Sequence, residues 1–580
     1  MDANAPAASA PTGKPAVPQL ALSLTLSSGA VFFAALAIQV LGLVGSVFLY
    51  KHIGLSTSGI VLIGTVQLFL LIGSSINGVG DLRLGTAYTY FLARGKSALE
   101  NTTVYLVVRM AMVASAGLVI FVIAPLSVGG ARIVSGNAEW VSLGIFVALP
   151  ILWSFSTVYN QMFIGQGNSL KAQYPGLVEA LARLPVLIYC AYYDPTLEGL
   201  TLAYVVGATA STLYAIPAIL PVLKRFRRSE AVRLFRFALP LMLSLMLNYL
   251  VTNMIPLIVN ASLGVYELSI FLAANGFRIL VLSLPAAVTT PLFPYLAGLH
   301  RQEEYDQLRR GTWQALRYTS MLLVPGVVAL VTYRYNFLND LANAKYAIPG
   351  ALPLAILVVG AIPLALSQII QSSINATGRQ RLELYITSTQ IAVLFGLVFV
   401  LLPPFGIFPR SQGLIAGSIA VLGSSCAALA LNTYFMERLI RVHIHLRSIL
   451  GITLSAAGSF GALWFVNRWH VFPVSTWWEL LAVVLLGFVV YFVVLALVGE
   501  LSREDVHRIG RQIGLPARLY GFLGRACWRR TAPDLAAVDP STALALRQPE
   551  LPETFTGVTE LPTPEPLPST PDDVPGDRPR

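Results

Sequence analysis

The sequence predicts an all-α protein that crosses a membrane about fourteen times, with two pseudo-symmetric six-helix lobes and a C-terminal helix pair. Three observations carry this reading. Hydrophobic residues make up 56% of the 580 and charged residues only 12%, about half the charged share of a soluble domain, with a mean hydropathy of +0.70. Apolar runs of about 20 residues recur along most of the chain, each long enough for a hydrocarbon core of about 30 Å. The pattern also repeats. Slid back by 210 residues, the stretch Asn260–Arg278 places Gly264 on Gly54, Ile270 on Ile60 and Leu272 on Leu62. At 211 residues, Gly378 falls on Gly167 and Tyr385 on Tyr174. Two matches at nearly one offset imply an internal duplication of about six helices.

Taken in order, residues 1–25 are small, Pro- and Ala-rich, with Asp2 and Lys14 their only charges. They read as a disordered cytoplasmic N-terminus with no cleavable signal. An N-lobe over 26–222 holds spans at 26–50, 58–80, 103–127, 138–160, 172–193 and 198–222. A C-lobe over 237–435 holds spans at 237–259, 265–296, 316–337, 348–374, 382–404 and 411–435. A further pair over 449–499 comprises 449–467 and 478–499. Prolines inside these spans do not argue against helix, because neighbouring helices satisfy the freed carbonyls. With the N-terminus in the cytoplasm, nineteen Lys and Arg fall in inside loops and six outside, which puts both termini in the cytoplasm. Residues 500–530 are basic with interspersed apolar residues and read as an amphipathic segment lying on anionic lipid. Residues 531–580 are acidic, Pro-rich and expected to be disordered. Cys190, Cys426 and Cys527 form no CxxC pair, and the two in spans read as small core residues. His443 and His445 point to different helix faces, so no metal or cofactor site is expected. Nothing points to nucleic acid.

Charge inside a span is costly and marks a functional candidate. Arg109, Glu179, Arg183 and Arg278 lie within spans, with Asp81 and Arg83 at the inner end of the second. At 1.5 Å per residue, Arg278 sits about 20 Å and Arg183 about 17 Å into the bundle, and Arg109 about 9 Å, within reach of the inner surface by snorkelling. Glu179 and Arg183 stand at i and i+4, the spacing of an intrahelical ion pair. Arg278 has no acid within a turn; it either bonds carbonyls between helices or faces an internal aqueous cavity that Asn275 and Gln67 would also line. Three deep arginines against one glutamate favour an anionic substrate, phosphate above all, since guanidinium binds it bidentately. Arg278, Arg83, Arg183, Arg109, Asn275 and Gln67 are therefore the substrate-binding candidates, and Glu179 and Asp81 the candidates for coupling.

Several stretches carry a resemblance. They are IGLSTSGIVLIGTVQLF and DLRLGTAYTYFLARG around the second span, LPAAVTTPLFPYL in the eighth, LPLAILVVGAIPLALSQIIQSSINATGRQRLELY across the tenth and eleventh, and GLIAGSIAVLGSSCAALAL in the twelfth. In order and spacing, over roughly residues 25–500, the chain resembles the polysaccharide-transporter branch of the multidrug/oligosaccharidyl-lipid/polysaccharide exporter superfamily. It departs from that pattern at Arg83, where members usually carry Gly, and at Tyr90, near where they carry Arg. The resemblance implies two facing lobes and alternating access. It also implies flipping of a pyrophosphate-linked polyprenyl oligosaccharide at the cytoplasmic membrane, alongside membrane lipids and polysaccharide polymerase or assembly proteins, with the extra helix pair as a groove for the lipid tail. It implies no enzyme.

Two rivals follow from the same residues. A cation-coupled drug antiporter of the superfamily needs an acidic cavity, and few carboxylates lie in the spans. A membrane polymerase or ligase needs a sizeable outer loop, and the longest here are short. Because residues 531–580 lack the apolar content to fold, their deletion is expected to leave export intact. Lost export with normal membrane levels of the truncated protein would contradict that.

Overall fold

The computed structural model describes residues 17–93, 98–124, 134, 136–166, 168–301, 304–377, 379–403, 406–442, 446–469 and 476–501. The expectations for residues 1–16, for His443 and His445, for 502–530 and for 531–580 lie outside the described residues. The described residues form α1 (Val17–His52), α2 (Thr57–Asp81), α3 (Leu84–Ala93), α4 (Ala98–Ile123), α5 (Asn137–Gly165), α6 (Tyr174–Tyr193), α7 (Leu197–Ile219) and α8 (Arg228–Leu263). They continue as α9 (Val265–Arg301), α10 (Tyr305–Thr332), α11 (Arg334–Leu341), α12 (Ala344–Ala376), α13 (Gln380–Leu401), α14 (Gly413–Ile440), α15 (Leu446–Arg468) and α16 (Trp477–Leu497). Thirteen are long and apolar enough to cross a membrane among the described residues, and the apolar part of α8, Asn253–Leu263, stands where the seventh span was expected. The helix α1 begins at Val17, so residues 17–25 are helical where disorder was expected.

Helix ends sit where polar side chains satisfy free backbone groups. The Ser56 hydroxyl accepts from Gly59 N at 2.9 Å to start α2, and Thr196 accepts from Gly199 N at 3.1 Å to start α7. The helix α8 ends at Gly264, whose φ of 114° is open to glycine alone in practice. Gly54 and Gly264, matched by the sequence repeat, both lie between the first and second helices of their lobes.

The same neighbours meet in each half. In the N-lobe α1 packs on α6, α2 on α4 and α5, α5 on α4 and α7, and α6 on α7. In the C-lobe the corresponding α8 packs on α13, α9 on α10 and α12, α12 on α10 and α14, and α13 on α14. One pairing scheme used twice is the structural form of the duplication.

The lobes meet along α2, where glycine permits close approach. A Cβ at Gly64 would strike the backbone oxygen and side chain of Val265 on α9, and one at Gly78 would enter the Tyr249 ring on α8. Small residues at such crossings let helices pack in a bilayer, where burial from water supplies no drive. The helix α8 serves both lobes. Its Leu234, Ala238 and Met242 pack with Leu84, Tyr88 and Tyr105 of the N-lobe, while Ile255, Val259 and Leu263 join the large core that includes Phe271 and Leu414.

The pair α15–α16 lies against α10. Tyr333 packs with Leu463, Leu480 and Val483, and Met321 and Val324 with Tyr491 and Leu495. Arg317, at the inner end of the expected span 316–337 and counted among the nineteen inside cations, is buried in α10 with its Nε 2.8 Å from Glu500 Oε1. Its Nη2 donates to the Glu500 carbonyl oxygen, and the Ser448 hydroxyl donates to Glu500 Oε1 at 2.7 Å. Glu500 thus belongs to the transmembrane fold and not to the basic segment after it. Cys190 is buried as expected, whereas Cys426 is exposed on the bundle surface.

Removing one partner of a buried ion pair strands the other, at a cost of about 3–5 kcal/mol. Glu500→Ala is therefore expected to lower thermal stability in detergent strongly. Arg317→Met combined with Glu500→Gln is expected to regain most of it, because no bare charge then remains.

Candidate functional site

Two cavities open at the boundary between the lobes. The larger, about 340 Å³, lies between α1, α6, α7 and α9, with Gln39, Ser46, Arg183 and Tyr204 as its polar wall and Gly276, Ile279 and Leu280 facing them. The smaller, about 130 Å³, is walled by Ser46, Tyr50, Gln67, Gly276 and Phe277, with Leu338 and Leu341 of α11. Leu43, Ser46 and Gly276 border both, and a Cβ at Gly276 would meet nothing within 4 Å. Among the described residues neither wall contains a carboxylate.

Arg183 Nη1 lies 3.4 Å from Glu179 Oε1, the intrahelical pair anticipated from the i, i+4 spacing. Its guanidinium also stands over the Tyr204 ring, 5.2 Å from the centroid. The pair leaves Arg183 on the cavity wall with donors to spare. Arg278 is partly buried and hydrogen-bonds Asn275 Oδ1 at 3.2 Å, its Nε buried without a partner and no carboxylate pairing it among the described residues. Two residues beyond Gly276, it lies on another face of α9 and lines neither cavity.

Arg109 does not snorkel. It is fully buried, with Nη1 2.9 Å from Asp81 Oδ1 and Nη2 donating to Asn77 Oδ1 at 2.5 Å and to Thr157 Oγ1 at 3.2 Å. The Tyr105 hydroxyl donates to the same Asp81 oxygen at 2.5 Å. Arg109 and Asp81 are thereby committed to joining α2, α4 and α5. Directly after this anchored end, Leu82 (φ 32°) and Arg83 (φ 64°) both adopt the left-handed conformation, which costs a non-glycine residue about 1–2 kcal/mol. Arg83 thus occupies a backbone shape suited to the Gly that the resemblance led one to expect. Its Nη2 comes within 3.6 Å of Glu383 Oε1 at the start of α13, and Asn375 Nδ2 donates to the other oxygen of Glu383 at 2.7 Å.

At the opposite end, a neutral clasp joins the lobes. Gln67 Nε2 donates to the Tyr50 hydroxyl at 2.7 Å, the rings of Tyr50 and Tyr346 lie 4.8 Å apart, and Tyr346 and Ser269 share a hydrogen bond of 3.0 Å. Asn343 does double service. Its Oδ1 accepts from Lys345 N at 2.9 Å, capping α12. Its Nδ2 donates to the carbonyls of Tyr50 and Gly54 at 2.9 and 3.0 Å, closing the end of α1. Gln67 Oε1 remains buried without a partner beside the smaller cavity. Nearby, burial raises the Asp340 carboxyl above its ordinary range, against a hydrogen bond from Asn339 and the pull of Lys51.

Of the residues singled out from sequence, Arg183 and Gln67 thus share one pair of adjoining cavities, while Arg278 with Asn275, Arg83, and Arg109 with Asp81 stand apart from it. Sequence reasoning missed Ser46, Tyr204, Tyr50 and Asn343, whose neutral or loop-end positions carry no signal until the helices are assembled, and Glu383, a charge at the very start of the expected span 382–404.

The fold is shared with solved membrane transporters, one of them described as a MATE family transporter of the MOP superfamily. Residues 96–347 match the profile of a family described as polysaccharide biosynthesis protein. A structure described as lipid II flippase MurJ, inward closed conformation, superposes with a TM-score of 0.66 at 14% identity, covering 81% of this chain and 98% of that one. A structure of the MATE multidrug transporter DinF-BH gives a TM-score of 0.54 at 16% identity, over 73% of this chain and 96% of that one. An inward-facing MATE family transporter gives 0.53 at 13% identity, over 72% and 94%. Among curated proteins no sequence matches.

Because Arg109 holds three helices together, Arg109→Ala is expected to leave Asp81 uncompensated at a cost of about 3–5 kcal/mol. The measurable result is depleted membrane protein and a lowered melting temperature. An Arg109→Ala protein with normal abundance and melting would refute the anchoring role.

Proposed function

We propose that the protein is a flippase that moves a pyrophosphate-linked polyprenyl oligosaccharide across the cytoplasmic membrane by alternating access of its two lobes. The observation that carries this is the cavity wall between the lobes, which offers Arg183, Gln39, Ser46 and Tyr204 and no carboxylate. Guanidinium, amide and hydroxyl donors on one wall select an anion with many acceptor oxygens, and a diphosphate fits that description. The match of residues 96–347 to polysaccharide biosynthesis proteins supports the sugar-bearing class. The similarity to a structure described as a lipid II flippase supports a lipid-linked one. A cation antiporter, the reading the MATE neighbours would suggest, is disfavoured by the same wall, since a cationic substrate needs a carboxylate there.

In this reading the end bearing Arg83 faces the cytoplasm, as do both termini. The diphosphate enters beside Arg183, with Arg278 as a second cation within the C-lobe. The pair α15–α16 flanks α10 and borders the path of the polyprenyl tail, and the polymerase or assembly proteins that use the flipped product act on the far side. Glu179 holds Arg183 in place between cycles and is the acid through which coupling is exerted.

A charge-assisted hydrogen bond contributes about 1.5–3 kcal/mol, so its loss is worth about 10- to 100-fold in transport. Arg183→Ala is expected to slow flipping of a polyprenyl-diphosphate oligosaccharide in liposomes by that factor at normal protein level. Arg183→Lys is expected to be partly impaired, because a point charge replaces a fork. Undiminished flipping by Arg183→Ala would overturn the reading.

A further inference from the structure

The two ends of the lobe boundary are closed by different chemistry. The clasp of Tyr50, Tyr346 and Asn343 is neutral, whereas Arg83 and Glu383 meet as charges. We propose that the Arg83–Glu383 pair is a latch between the lobes, and that the substrate's diphosphate opens it by taking Arg83 from Glu383. The displacement rests on the reading above that the substrate is a lipid-linked diphosphate; the closure of the lobes by the pair does not.

Both partners are held in position before any substrate arrives. Arg83 follows the end of α2, which the Arg109–Asp81–Asn77 network fixes, and its backbone is left-handed. Glu383 is buried at the start of α13, with one oxygen bonded to Asn375. The contact joins the N-lobe to the C-lobe across 3.6 Å, longer than the 2.7–2.9 Å or so of a strong charged hydrogen bond. The guanidinium is not saturated by it. Arg83 Nε is buried without a partner, and the side chain is 33% exposed. A diphosphate presents several charged oxygens and can engage the planar fork through two bonds, where Glu383 engages one nitrogen. The anion therefore competes on favourable terms, and once it holds Arg83 the ionic link between α2 and α13 is gone. Glu383 keeps its bond to Asn375. A neutral molecule cannot make this exchange.

The test measures lobe separation directly. In a full-length protein with its three cysteines replaced, spin labels are placed through Thr86→Cys on α3 and Arg381→Cys on α13, both exposed positions, and their distance is read by pulsed electron resonance in liposomes. Adding undecaprenyl diphosphate is expected to lengthen the mean distance by about 5 Å or more, the scale of helix shifts in switching proteins. Glu383→Gln is expected to show the longer distance without any lipid diphosphate and to lengthen no further with it. The exchange Arg83→Glu with Glu383→Arg is expected to restore the short distance. A Glu383→Gln protein with the wild-type distance would overturn the latch, and a wild-type distance unchanged by undecaprenyl diphosphate would overturn the displacement. The diphosphate-free distance of Glu383→Gln tests the latch alone. Failure of the wild type to flip any lipid diphosphate would strike the functional reading instead.

Discussion

An arginine within a bilayer-spanning bundle is tolerated only where the protein itself meets its charge and its donors, and Arg109 is the position on which the N-lobe depends for this. Its guanidinium gathers Asp81 and Asn77 from α2 and Thr157 from α5, while Tyr105 of its own helix α4 completes the Asp81 carboxylate. The end of α2 is thereby fixed in place. Everything that follows in the chain at this point, the paired left-handed residues and the reach of Arg83 to the C-lobe, uses that fixed end as its base.

The helix α2 is also where the lobes touch, and it does so through absent side chains. Gly64 lets α9 approach near one end and Gly78 admits the Tyr249 ring near the other. Between the two ends the Tyr249 hydroxyl also donates to the Ser74 carbonyl of α2 at 2.5 Å, and the ends add the remaining polar closures. One end is held by uncharged hydrogen bonds and ring contact, the other by an ion pair with spare donors. This asymmetry gives the boundary two closures that answer to different ligands. The cavities lie between them, bordered on one side by α1 and on the other by Gly276 of α9.

Outside this boundary, charge serves to attach. Arg317 and Glu500 fasten α16 to α10 at a buried point where Ser448 of α15 also contributes. Arg309 donates from Nε to the Ile440 carbonyl at 2.9 Å, satisfying the end of α14. Both arginines were counted among the loop charges that indicate orientation. Their burial shows that a cationic residue near a span end can be structural without weakening the asymmetry of the loops as a whole.

The sequence by itself determined the class of the protein, the spans and the duplication. Hydrophobic run length and the 210-residue echo are properties of consecutive residues, and a bilayer translates them directly into helices. It also placed the Glu179–Arg183 pair, because i and i+4 are neighbours on any helix. Only the tertiary structure decided the partners of the other charges. Arg109 finds Asp81 twenty-eight positions away, Arg83 finds Glu383 across the lobes, and Arg317 finds Glu500 across 183 positions. No periodicity encodes such contacts. They arise from which faces of which helices pack together, and in a bundle of uniformly apolar helices that choice is made by small residues and buried polar groups after the chain has assembled.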